Sequence, residues 1–100
     1  MTDITSGCTI KEIAPHLAAK CVMITTAATA DHADTIVMTL SSYGMSTFLG
    51  CLTFRHTTEN SVAVLETTDA STTAVSSGVL TVTIGGSNDN YKRVLIIYGE

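Results

Sequence analysis

The sequence predicts an all-β fold: a single antiparallel β-sandwich or barrel of about seven short strands, preceded by an irregular N-terminal arm. Three observations lead there. Threonine fills 18 of the 100 positions, and a β-branched polar residue suits a pleated, half-wet surface. Apolar and polar residues alternate over short runs. Turn residues punctuate those runs at roughly the eight-to-twelve-residue spacing of a small sandwich. A chain of 100 residues is large enough for one core and not for two. The expected organisation is an arm over residues 1–20 and a sandwich over 21–100.

Within the arm, Ile10, Ile13 and Leu17 fall at helical spacing, and Pro15 is suited to starting a short turn in APHLAAK. The same proline forbids a long helix through this stretch. From Cys21 onward the pattern is strand after strand. CVMITTAAT (21–29) comes first, and ADHAD (30–34) is a polar turn. DTIVMTLSS (34–42) alternates cleanly, with Ile36, Met38 and Leu40 on one side. After a turn at YGMS, TFLGCLTFRH (47–56) is apolar on both faces, and Gly50 in its middle marks a bulge or a close backbone approach. TTEN turns the chain into SVAVLETT (61–68). A short TTAV edge piece sits between DAS and SSG. GVLTVTI (78–84) turns Leu80, Val82 and Ile84 inward, and KRVLIIY (92–98) closes the series.

Charged residues are 14% of the chain, against about 25% in ordinary domains. Either the surface is covered in the working state, or this is simply a stable small β-domain. A net charge of −4 and five scattered cations (Lys11, Lys20, Arg55, Lys92, Arg93) argue against nucleic acid. No apolar run approaches the ~18 residues a membrane helix needs. MTDITSGCTIKE has no positive n-region with an apolar stretch behind it, so no secretory signal is expected. Cys8, Cys21 and Cys51 form neither a disulfide framework nor a zinc pattern, and synthesis in a reducing cytoplasm is expected.

The candidate sites are few. GGSNDN (85–90) is glycine-rich, but a strand rather than a helix follows, so it lacks the helix N-terminus that phosphate binding uses. Asp89 alone among amides is thin for calcium. The turn cluster Asp31, His32 and Asp34 has the residue types of a divalent-metal or acid–base site, and equally those of an exposed turn. Cys21 and Cys51 lie in apolar strand runs, away from any base. No serine stands in a nucleophile elbow. Tyr43 and Tyr91 sit in turns, which keeps a glycan- or ligand-binding β-module as the alternative function. No enzyme, metal or cofactor is expected.

Two strands carry the functional reading. Along KRVLIIY, Val94, Ile96 and Tyr98 share one face, with Leu95 and Ile97 on the other. Along TFLGCLTF, strict alternation puts Phe48, Leu52 and Phe54 against Leu49 and Cys51. A small sandwich leaves each strand one wet face. The excess apolar face must therefore be covered by the arm or by another subunit. The residues expected at that interface are Ile10, Ile13, Leu17, Leu49, Leu95 and Ile97.

The runs ADTIVMTLSSYGMST, HTTENSVAVLETT and TVTIGGSNDNYKRVLIIYGE, within residues 30–100, resemble short Thr-rich virion structural proteins of tailed viruses of bacteria and archaea. Those proteins are small β-sandwiches that attach to the capsid surface or belong to the virion. The resemblance implies a non-enzymatic capsid-decoration or head/tail role, as a homo-oligomer with a trimer favoured. The major capsid protein would be a partner, and the location would be the virion after synthesis in a host cytoplasm. It carries over no functional residue.

Overall fold

The computed structural model describes residues 2–12, 20–66, 71–85 and 89–100. Among these lie eight strands: β1 (Thr9–Glu12), β2 (Lys20–Thr25), β3 (Thr35–Thr39), β4 (Phe48–Thr58), β5 (Val62–Leu65), β6 (Thr72–Ser76), β7 (Val79–Thr83) and β8 (Arg93–Gly99). They form a sandwich of a five-stranded sheet, in the order β1-β2-β8-β4-β5, and a three-stranded sheet, β3-β7-β6. Every strand pairing is antiparallel. The all-β expectation holds, with one strand more than the alternation pattern predicts.

That additional strand comes from the expected arm. Residues 9–12 pair with β2, setting Ile10 beside Ile24. Just before it, the chain runs along the edge of β3: Thr35 N–H donates to the Thr2 carbonyl at 2.7 Å, and Ile4 N–H donates to the Thr35 carbonyl at 2.9 Å. The Thr5 hydroxyl accepts from Val37 N–H at 2.8 Å. Residues 2–12 thus join both sheets along one flank of the sandwich. The helical spacing read around Pro15, with Ile13 and Leu17, lies outside the described residues.

Alternation decides which side chains enter the core. Ile36, Met38, Leu40, Leu80, Val82 and Ile84 are buried as their spacing requires. From the other sheet come Val22, Ile24, Leu95 and Ile97. At about 25 cal/mol per Å² of apolar surface, this layer is the main stabilising contribution. β6 and β7 are joined by the two residues Ser77 and Gly78, at φ 51° and 76°. Paired positive φ values are those of a type I′ turn, whose twist matches its strands.

Gly50 does mark a bulge: the β4–β8 register slips between Phe48 and Gly50. Gly99 answers a different need. A Cβ there would come within 2.5 Å of Met45 Sδ and 2.7 Å of the Thr47 carbonyl oxygen. The chain from Met45 to Thr47 closes over this end of β8, and Ser46 and Thr47 N–H both donate to the Glu100 carbonyl.

Candidate functional site

β8 has apolar residues on both faces, so its burial parity is set by its neighbours. Leu95 and Ile97 are 0% exposed, enclosed against the other sheet. Their assignment to an outer interface is corrected: the outward residues are Val94, Ile96 and Tyr98. Ile10 also turns inward, packed against the core. Leu49, at the bulge, is 59% exposed and stays on the surface.

The inward parity carries Arg93 into the interior, where it is fully buried. Its Nη1 donates to the Ala30 carbonyl at 2.8 Å and the Tyr91 carbonyl at 3.3 Å. Its Nε lies 3.4 Å from Glu66 Oε1, an ion contact that lacks hydrogen-bond geometry. Glu66 is held there by its own N–H, which donates to the Thr53 carbonyl on β4. Arg55 stands opposite Arg93 in the β4–β8 ladder, and its guanidinium lies 5.3 Å from the centre of the Tyr91 ring. The inner face of the large sheet is therefore charged at one end.

The outer face of the same sheet is apolar. Register places Met23, Ile96 and Leu52 in one row across β2, β8 and β4. Thr25, Val94, Phe54 and Leu65 form the next row, reaching β5. Cys21, Tyr98 and Gly50 form a third. Leu52, Leu65 and Tyr98 are each about 40% exposed. With strands ~4.8 Å apart and a rise of ~3.4 Å per residue, the patch measures on the order of 300 Å². Its margins are Lys11 on β1 and His56 on β4. The small sheet is more polar: its outer face carries Thr39, Thr72, Thr81 and Thr83 beside Val37, Ala74 and Val79.

The titratable groups read from the sequence serve the turns. Asp34 Oδ2 accepts from Asp31 N–H at 2.9 Å, and Asp31 Oδ1 accepts from Asn90 N–H at 2.9 Å. His32 Nδ1 lies 2.6 Å from Asp89 Oδ1, a bond that holds the Asp89 carboxyl below its usual range. Asp34 thus closes the 30–34 turn, and Asp31 and His32 tie it to the loop before β8. Among the described residues, no group of three His, Cys, Asp or Glu could hold a metal ion. Burial pushes the Cys51 thiol up, and burial with the nearby Asp3 charge does the same for Cys8. Neither sulfur is poised as a thiolate.

Tyr43 packs against the core near the Gly99 end of β8, while Tyr91 precedes β8 at its other end beside Ala30. The strand separates them by roughly 20 Å, so they do not share one platform. A depression of about 280 Å³ between the N-terminal segment and residues 27–30 is lined mainly by small residues. The carboxylate lining it, Asp3, accepts from the N–H and hydroxyl of Thr5, which lower its pKa. Among the described residues, no helix is long and apolar enough to cross a membrane.

No protein-family model matches this chain, and no curated protein or solved structure matches it. The protein is an all-β sandwich whose larger sheet has an apolar outer face. Sequence reasoning found that surface but named the wrong parity for it. It missed Met23, Leu52, Phe54, Leu65, Ile96 and Tyr98. The usable signal was Gly50: counting one extra residue there separates Phe48 from Leu52 and Phe54.

Proposed function

We propose that this chain is a virion structural protein, a capsid-decoration or related head/tail component, that works by association rather than by chemistry. It assembles as a homo-oligomer, a trimer being favoured, and docks on a particle whose major capsid protein is the second partner. The observation that carries the reading is the apolar outer face of the five-stranded sheet, centred on Ile96. An apolar patch of about 300 Å² is the size of the largest patch on a typical monomer, and such patches are often functional. The low charge and the likeness to Thr-rich virion proteins support the same reading.

Sedimentation velocity on the purified protein across the micromolar range tests it. Association should rise with concentration, and Ile96→Lys should weaken it about tenfold or more, since an unpaired charge at an interface centre is costly. A strict monomer with no affinity for particles ends the proposal.

A further inference from the structure

The two edges of the small sheet are treated differently. β3 is covered: the groups it turns outward at Thr35 and Val37 are taken up by Thr2, Ile4 and Thr5. At the opposite edge, β6 is exposed along its whole length, and no described residue pairs with its far side. Natural sandwiches blunt such an edge with a charge, a proline or a bulge. β6 reads Thr-Thr-Ala-Val-Ser and has none of these, and its register with β7 is unbroken over five residues. β5, the exposed edge of the large sheet, is shorter and follows a register shift between His56 and Thr58. β1 carries the charge of Lys11. β6 is thus the one regular, uncharged, uncovered edge among the described strands.

Hairpin geometry fixes what this edge offers. The pair Ser76 and Val79 closes a two-residue loop and so exchanges hydrogen bonds. By alternation Thr72, Ala74 and Ser76 point their backbone groups at β7. Thr73 and Val75 point theirs outward. An occupant must be an extended strand.

We propose that β6 pairs antiparallel with β6 of a second copy of this chain, about a two-fold axis at Ala74. Thr73 of each copy exchanges backbone hydrogen bonds with Val75 of the other, and the two small sheets become one of six strands. The contact is self-complementary, as a two-fold interface must be, and brings no like charges together. Val75, 47% exposed at the open flank, gains an inner-face neighbour. The type I′ turn holds β6 in place beforehand, so little ordering is needed on pairing. This contact does not rest on the outer-face reading.

The test uses Ala74→Lys and Ala74→Glu in the full chain, with sedimentation and hydrogen exchange. Position 74 faces outward on the sheet, and each variant alone sets like charges opposite one another, weakening the β6 contact by about tenfold. Mixing the two variants should restore it. In the wild type, exchange at the Thr73 and Val75 amides should slow as concentration rises, while that at Thr35 stays constant. Variants that associate like the wild type, a mixture no better than its components, or exchange independent of concentration would each overturn the proposal. Ile96→Lys leaves β6 intact, so failure of the outer-face reading and failure of this one are read separately.

Discussion

The two sheets of this sandwich dispose of polarity in opposite ways. The three-stranded sheet is conventional, with Ile36, Met38, Leu80 and Val82 inside and threonines outside. The five-stranded sheet buries Arg93 with Glu66 on its inner face and presents Ile96, Leu52, Phe54 and Tyr98 outward. A buried ion pair gives little net stability over apolar packing, so Arg93 and Glu66 do not give the large sheet's inner face what the aliphatics give the small sheet's.

The contrast can be broken most sharply from inside. Glu66→Ala leaves Arg93 buried beside Arg55 and should cost about 3 kcal/mol, within the range for removing one member of a buried pair. Denaturant unfolding measures it, and a loss below about 1 kcal/mol would mean that the other partners of the guanidinium, the carbonyls of Ala30 and Tyr91 among them, suffice. Next comes Gly99→Ala, which drives a methyl against the Thr47 carbonyl and Met45. Overpacking of this kind costs roughly 1–3 kcal/mol, read by the same unfolding curves.

Smaller effects sharpen the comparison of the outer faces. Leu52→Thr, copying the small sheet's surface chemistry, should leave monomer stability within about 1 kcal/mol, because the site is partly solvated. It should still reduce association in sedimentation runs. Thr81→Val, the converse change, should leave association unaltered. Smallest is the loop tie. The Asp89 pKa is lowered in the folded state by His32, so this contribution is complete above the ordinary value of 3.8 and disappears as pH falls through the lowered one. A titration followed by nuclear magnetic resonance should show the His32 and Asp89 signals moving together below pH 3.8, with the core signals unchanged.

Much of this architecture is legible in the residues. Clean alternation in TIVMT and VLTVT tells inside from outside, because only one face of each is apolar. KRVLIIY does not, since both of its faces are apolar and local pattern has nothing to choose between them. The choice is made by tertiary pairing: Val22 and Ile24 come beside Ile97 and Leu95, and Arg93 is then drawn inward, against ordinary expectation for a cation. The leading segment misleads for another reason. TIKE is too short to show a period, and its strand state depends on β2, some ten residues further on. Doubly apolar strands did point to an apolar outer face, and the bulge at Gly50 turns Phe48 toward the core while Leu52 and Phe54 stay on that face.

The place of β8 in the large sheet bears on how the molecule comes into being. β2 and β4 are not neighbours; each pairs with β8, which follows both in the chain by dozens of residues. Synthesis delivers the two flanking strands long before the one that unites them, so the sheet cannot zip up progressively from its N-terminal side. Until Val94 to Gly99 emerge, Met23 and Leu52 belong to separate, half-finished fragments. Pairings this distant in sequence close slowly, and the rows of apolar side chains on the outer face are not assembled until β8 takes its place between β2 and β4.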